Sequence, residues 1–252
     1  MSVLLREERG GRVLEVRAAG RTRRLYVDGV YHTSWNPGRA LTGAVWDPLA
    51  LATFCVRPEG ARSALVLGVG GGAALRMLHA FAPPARLVGV EWDAQVLAAA
   101  RRWFGLDETG AELVVGDARA WVRRNARRRF ELVVDDLYAE EGGEPVRPPG
   151  LDDDAWWRRV VALVAPGGAL VVNFVAQRDL TGSPLCQDVR LRTRFPVALR
   201  CTCPGYENVV AVFASRPVTP AELRRRILAQ PALARAADRR LLRFRIGSLW
   251  PR

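Results

Sequence analysis

From Ala64 to Val175 the chain alternates between short unbroken apolar runs and stretches whose apolar residues fall three and four apart. The runs ALVLGV (64–69), RLVGVE (86–91), ELVVGD (112–117), FELVVDD (130–136) and ALVVNFV (169–175) read as strands buried on both faces, because none alternates polar with apolar residues. The stretches between them, GAALRMLHAF, DAQVLAAARRWF, ARAWVRRNARR and DDAWWRRVVALV, carry the helical period. Strands separated by helices of this length predict a doubly wound α/β domain on a parallel sheet. A further helix and strand follow, and NVVAVFA (208–214) reads as the last strand.

The two ends depart from this rhythm. Among the first 60 residues, Val13–Val16 and Arg24–Asp28 read as two short strands of a hairpin, and TSWNPG as a loop. VWDPLALATFCV then predicts an entry helix, with Asp47 as its N-cap and Pro48 at its first position. Past residue 215, two short helices separated at Pro231 are expected. The division is therefore 1–60, 61–215 and 216–252, with no internal repeats.

Composition changes this picture little. Of 252 residues 49% are hydrophobic and 25% charged, which excludes a disordered chain. No apolar run nears the roughly 20 residues that span a bilayer, and the opening MSVLLREERGGR is too charged for a signal peptide. A cytoplasmic protein without a membrane partner is expected. Cys55, Cys186, Cys201 and Cys203 are too few and too scattered for a disulfide framework. Cys201 and Cys203 form C-x-C, but the two histidines, His32 and His79, lie far off in sequence, so no metal site is expected.

The net charge of +12 rests on arginine alone, since the chain has no lysine. Residues 216–252 hold ten arginines against Glu222 and Asp238, while residues 131–154 hold nine acidic residues against Arg147. At helical spacing the basic segment reads as a solvated face in preference to a nucleic-acid surface. The acidic segment YAEEGGEPVRPPGLDDD reads either as a solvated connector or as a lid whose charge attracts a cationic acceptor. A homodimer is left open.

Candidate chemistry begins at LVLGVGGGAALRML, where Gly68, Gly70, Gly71 and Gly72 lie between a strand and a helix. Bare backbone there lets a ligand approach, and the helix N-terminus favours anionic or hydrogen-bonding groups. Gly68, Gly70 and Ala73 also satisfy the dinucleotide fingerprint, with Glu91 at the ribose distance, so the loop alone does not separate NAD from a mononucleoside. Three carboxylates add to it. Glu91 ends the second strand, where it can take both ribose hydroxyls. Asp117 ends the third, where it can accept from an adenine amine, although a helix N-cap would also explain it. Asp136 ends the fourth, at the mouth where a reacting group sits. Together they line the carboxyl edge of an open sheet.

The order of glycine loop, VEWD, GDAR, VDDLY and PGGALVV resembles the class I methyltransferase fold. More narrowly, it resembles the spermidine synthase (polyamine aminopropyltransferase) family and its methyltransferase-like relatives. LYVDGVYHTS is similar to that family's N-terminal β segment and ENVVAVFA to its closing strand, so the likeness runs from about residue 12 to residue 215. It implies a Rossmann-like sheet of seven mostly parallel strands with an antiparallel last strand, and a small N-terminal β-hairpin subdomain. It also implies a site for S-adenosylmethionine or its decarboxylated analogue, formed by Gly68, Gly70, Gly71, Gly72, Glu91, Trp92, Asp117, Ala118 and His32. Trp46, Asp47 and Tyr138 are the substrate candidates, with Trp156 a further aromatic that could wall the acceptor site.

Departures from the family pattern decide the expected reaction. The aminopropyltransferase loop reads G-G-G-D-G, and Gly71 stands where its Asp would face the cofactor amine. The strand-four motif D-S/T-S/T-D-P keeps its first Asp as Asp136 but has Ala139 at the second. The substrate motif Tyr-Gln/His-Glu falls on Trp46-Asp47-Pro48, and His32 replaces a frequent Gln. A neutral Gly71 suits S-adenosylmethionine, whose carboxylate a nearby Asp would repel. The acidic residue that class I methyltransferases carry two before the first glycine is missing too, replaced by Val66.

The expectation is alkyl transfer, of methyl in preference to aminopropyl, to a small amine-bearing acceptor. Asp136 is the proton acceptor and Asp135 the second candidate, since strand alternation points them to opposite sides. Aminopropyl transfer to a polyamine is the alternative. An NAD-dependent oxidoreductase leaves Asp117 and the Pro-Gly-Gly turn unexplained, and a non-catalytic nucleic-acid-binding protein would use the arginine-rich end.

Overall fold

The structure, a computed structural model, describes residues 1–141 and 144–250. Four antiparallel strands open the chain: β1 (Ser2–Arg9), β2 (Arg12–Ala19), β3 (Thr22–Val27) and β4 (Val30–Trp35), paired in sequence order. Helix α1 (Trp46–Leu51) leads to β5 (Ser63–Leu67), α2 (Ala73–Phe81), β6 (Arg86–Glu91), α3 (Ala94–Phe104), β7 (Glu112–Val115), α4 (Ala118–Arg124) and β8 (Phe130–Asp135). A hairpin of β9 (Ala139–Glu141) and β10 (Glu144–Val146) precedes α5 (Asp154–Leu163) and β11 (Val164–Phe174). Three short helices, α6 (Gln177–Gly182), α7 (Pro184–Gln187) and α8 (Val189–Arg194), then reach β12 (Val197–Thr202) and β13 (Val209–Ala214). The chain closes with α9 (Pro220–Ala229), α10 (Pro231–Asp238) and β14 (Arg245–Ser248).

The main sheet runs β14-β12-β13-β11-β8-β5-β6-β7. Strands β11, β8, β5, β6 and β7 are mutually parallel, while β13, β12 and β14 join through antiparallel ladders. Their parallel members are apolar on both faces because helices cover both. One layer buries Leu49, Leu75, Leu78, Leu223 and Leu233, and the other buries Trp121, Trp156, Trp157 and Val160. The expected Pro-Gly-Gly turn lies inside β11 as an irregularity between Val164 and Ala169, where the register with β8 shifts.

Four expectations are corrected. The sheet has eight strands, not seven, because Arg245–Ser248 pairs antiparallel with β12. Four residues at a sheet edge, two of them Gly and Ser, carry too little apolar pattern to read as a strand. Nor is 216–252 a helical tail apart: α9 and α10 bury Leu223, Ile227 and Leu233 in the core of the main domain.

The N-terminal hairpin is instead a four-stranded sheet. Its β1, SVLLREER, is exposed at nearly every position and held by its ladder to β2, so it lacks the alternation of a half-buried strand. The inner face, Leu14, Val16, Leu25 and Val27, packs on Val96, Ala99 and Phe104 of α3, which fixes β4 beside the main sheet. Finally, Asp47 does not cap α1, whose N-cap is Val45. It lies within the helix and reaches back to the preceding loop, accepting from Thr42 N and Thr42 Oγ1 at 2.8 and 2.6 Å and from Gly43 N at 2.9 Å.

Chain direction across the sheet sets the site's position. From β5 the chain steps outward to β6 and β7, then returns to the other side of β5 as β8. The crevice where the order reverses lies at the carboxyl ends of β5 and β8, the place where open α/β sheets bind ligands.

Candidate active site

At this switch point lies a cavity of about 400 Å³. Its floor is the glycine loop and the ends of β6 and β8. The N-terminal sheet closes one side with Tyr31, His32 and Thr33 of β4, and Trp46 of α1 adds to that wall. Ala139 and Pro145 of the β9–β10 hairpin form another wall. The acidic segment, read as a connector or a lid, thus lines the cavity at these two residues, while Gly142 and Gly143 at its centre lie outside the described residues.

Sterics explain the glycines. Gly68 has φ +85°, and a Cβ there would sit 2.2 Å from the carbonyl oxygen of Asp136, so only glycine lets β5 and β8 end side by side. Gly71 is constrained by a neighbour instead: a Cβ there would meet Thr33 Cγ2 of β4 at 2.0 Å. The space an aspartate would need at this position is filled by Thr33. Behind the loop, the Arg76 guanidinium of α2 donates to the Gly71 carbonyl.

Glu91 ends β6 buried beneath the loop. Its Oε2 accepts from Val69 N at 3.1 Å and Gly70 N at 2.8 Å, and its Oε1 from Asp93 N at 3.1 Å. Burial raises its pKa, and these three donors oppose the rise. Beside it, Trp92 projects into the cavity with the Arg12 guanidinium 4.6 Å from the ring centre. Arg12 is itself held by Asp93 at 2.6 Å and Asp28 at 3.3 Å.

The two aspartates at the end of β8 have different surroundings. Asp135 is fully buried and accepts from both terminal guanidinium nitrogens of Arg147 at 2.8 and 2.7 Å and from Trp156 Nε1 at 2.9 Å. It is not part of the cavity wall. Asp136 is in that wall, and Asn173 Nδ2 donates to its Oδ1 at 2.8 Å. Burial pushes its pKa up to about 6, and the charges of Asp135 and Glu91 push the same way against Asn173 and Arg147. The network continues through Asn208, whose Nδ2 reaches Asn173 Oδ1 at 3.3 Å and Tyr138 Oη at 3.2 Å, while Tyr138 donates to the Asn173 carbonyl at 2.9 Å. Asp136 is thereby held in one orientation by Asn173 of β11, itself braced by Asn208 just before β13.

Of the residues singled out by sequence, the cavity gathers Gly68, Gly70, Gly71, Glu91, Trp92, Ala118, His32, Trp46, Tyr138 and Asp136. Gly72, Asp117, Asp47, Asp135 and Trp156 do not line it. Asp117 caps α4, accepting from Ala120 N at 2.8 Å, and pairs with Arg119 at 3.2 Å; its neighbours Gly116 and Ala118 face the cavity. Trp156 packs in the core and serves Asp135. Thr33, Asn173, Asn208, Tyr31 and Tyr206 escaped sequence reading although all line the cavity. Asn173 alone carried a signal, as the one polar residue inside the buried run ALVVNFV. No cluster of three His, Cys, Asp or Glu able to hold a metal occurs among the described residues, and no helix of the described residues is long and apolar enough to cross a membrane.

Comparison with known proteins bears on the same arrangement. No family model matches the chain. A polyamine aminopropyltransferase from Aeropyrum pernix is 32% identical over 127 residues, which are 48% of this chain and 40% of that protein. An eEF1A lysine and N-terminal methyltransferase from Mus musculus is 25% identical over 146 residues, 56% of this chain and 20% of that protein. The chain thus spans less than half the length of either relative. A probable spermidine synthase from Corynebacterium glutamicum superposes with a TM-score of 0.72 at 16% identity, covering 98% of this chain and 91% of that one. Human methyltransferase-like protein 13, solved in complex with SAH, superposes with a TM-score of 0.59 at 21% identity over 78% of this chain and 91% of that one. The fold is the Rossmann-like fold shared by class I methyltransferases and spermidine synthases.

Proposed function

We propose that the chain is a transferase that binds S-adenosylmethionine and passes its methyl group to a small amine. The observation that carries this reading is Asp136, a carboxylate in the wall of a nucleotide-sized cavity, fixed by Asn173, with its pKa raised to about 6.

The residues fit a sulfonium nucleoside. Glu91 presents a buried carboxylate at the strand end where ribose hydroxyls are held in this fold, and Trp92 and Ala118 flank a surface for the base. Gly70, in the cavity lining, has open space where a side chain would stand, so its bare backbone can be approached by a ligand. When bound, that group supplies a carbon already activated towards a nucleophile.

What the protein adds is positioning and proton handling. An aliphatic amine with a pKa near 10 must lose a proton before it can attack. Asp136, ionised at neutral pH, faces the cavity to accept it, and its raised pKa makes it a better acceptor than an ordinary aspartate. Asn173 and Asn208 keep its carboxylate aimed. Tyr31 and Trp46, edge to face at 5.7 Å, together with Tyr138 and Tyr206, give walls that favour an organic cation. Arg147 does not oppose that cation, because it is taken up in a buried pair with Asp135.

Aminopropyl transfer is the second reading, favoured by the near-complete superposition on a probable spermidine synthase. Incubation with S-adenosylmethionine or its decarboxylated form and a panel of amines, read by mass spectrometry, separates the two. Methylated amine formed from S-adenosylmethionine, and lost in Asp136→Asn, supports the proposal. Amines lengthened by an aminopropyl unit, formed only from the decarboxylated compound, would replace it with the second reading.

A further inference from the structure

We propose that Tyr138 and Asn208 are positioning residues: they direct a hydrogen-bond chain so that Asn173 donates to Asp136 and holds it as an ionised acceptor. The inference rests on the reading of Asp136 as the proton acceptor, and it names what keeps that carboxylate available.

The direction of the chain is set at Tyr138. Its hydroxyl has one proton, which goes to the Asn173 carbonyl at 2.9 Å, so towards any other neighbour the oxygen can only accept. Asn208 must therefore turn its amide nitrogen, not its oxygen, towards Tyr138, and it does so at 3.2 Å. The second proton of the same nitrogen goes to Asn173 Oδ1 at 3.3 Å. With its oxygen engaged there, Asn173 presents Nδ2 to Asp136, at 2.8 Å. Turning over either amide would set oxygen against oxygen or N–H against N–H. The Tyr138 proton is secure, because burial raises the phenol's pKa and the charge of Asp136 adds to the rise.

The surroundings of Asp136 give this direction its consequence. The charges acting on it are Asp135 beside it on β8, Glu91 at the end of β6 and Arg147 just after β10. Arg12, Tyr31, His32 and Tyr206 line the same cavity. Both neighbouring carboxylates disfavour ionisation, as burial does, while Arg147 and the Asn173 donor favour it. Arg147 is committed to Asp135, which leaves Asn173 as the direct side-chain donor to Asp136 among the described residues. Asn173 is buried, where a misdirected amide is costly. Reversed, its oxygen would face the carboxylate, and Asp136 would keep its proton towards neutral pH, unable to take one from an amine.

The test is NMR titration of isotope-labelled aspartate carboxyls in the full chain, beside the pH profile of turnover. The Asp136 signal is the one lost in Asp136→Asn. Asn208→Leu should raise its midpoint from about 6 by about one pH unit, the scale of one hydrogen bond to a charged group. Tyr138→Phe keeps the ring but removes the ordering oxygen, and should raise the midpoint by roughly half as much. The double variant should titrate like Asn208→Leu alone, because both residues act through one amide. The acidic limb of turnover should move with the carboxyl. An unchanged or lowered midpoint in Asn208→Leu overturns the proposal, as do single shifts that add in the double variant. If Asn208→Leu fails to fold, an unchanged midpoint in Tyr138→Phe overturns it instead. A native chain that titrates as described yet transfers no alkyl group to any amine overturns the proposed reaction and leaves the direction of the hydrogen bonds standing.

Discussion

Asp136→Asn removes one negative charge from the cavity wall while keeping the side chain's size and an oxygen for Asn173 to donate to. The folded pKa of about 6 lies above the ordinary 3.8, chiefly through burial. Between about pH 4 and pH 6 the native chain therefore holds more protons than the unfolded one, and stability falls as pH rises through that window. Above it, a shift of about two units corresponds to an upper limit of about 3 kcal/mol of destabilisation, and the carboxylate's partial access to the cavity reduces this to about 1–3 kcal/mol. Asp136→Asn should recover that amount at pH 8, raising Tm by roughly 2–10 °C for a chain of this size. At pH 4, where aspartate is largely protonated in the native state, the gain should shrink below about 1 kcal/mol. Turnover should fall by about 10²–10⁴ as the proton acceptor is lost. Native turnover itself should rise with pH through about 6 as Asp136 ionises. Urea denaturation of both proteins at pH 4 and pH 8, beside turnover at pH 8, reads all of this. A variant less stable than the native protein at pH 8, or one stabilised equally at both pH values, would refute the reasoning.

Three further outcomes follow from the geometry. Gly71→Ala should cost about 1–3 kcal/mol by overpacking against Thr33 Cγ2, and Thr33→Ser, which lacks that methyl, should restore at least half in a double-mutant cycle; strict additivity would contradict the contact. Arg147→Met leaves the fully buried Asp135 without its cation and should cost about 3–5 kcal/mol, so a loss below about 1 kcal/mol in urea denaturation at pH 7 would show that the pair does not anchor the hairpin. Glu91→Gln keeps the side chain's size but removes its charge and one of its two acceptor oxygens, and the Kd of methylthioadenosine should rise about tenfold by calorimetry; an unchanged Kd would place the nucleoside elsewhere.

The central α/β rhythm was legible because its strands are short and buried on both faces, and its helices bury one stripe. β6 through β8 and α2 through α5 all lie where the pattern predicts. What escaped was held by ladders and not by apolar pattern: β1, β14 and the β9–β10 hairpin are edge elements with charged or small residues. The site divides in the same way. Glycines and carboxylates at strand ends announce themselves, since only a ligand or a close backbone approach explains them. Thr33 and Asn208 do not, because a threonine of the N-terminal sheet meets Gly71 of the glycine loop only after β4 has docked against α2. Asp117 shows the converse, a residue with the right spacing whose carboxylate caps a helix. Asp135 and Asp136 could be ranked only once Arg147, beyond the end of β8 in the sequence but adjacent in space, was seen to engage the first.

A crystal structure of the chain with 5′-methylthioadenosine bears most directly on the central claim. The account predicts the ribose hydroxyls on Glu91, the base between Trp92 and Ala118, and the thioether sulfur turned towards Asp136. A nucleoside lodged outside this cavity, or seated in it with its sulfur turned away from Asp136, would contradict it.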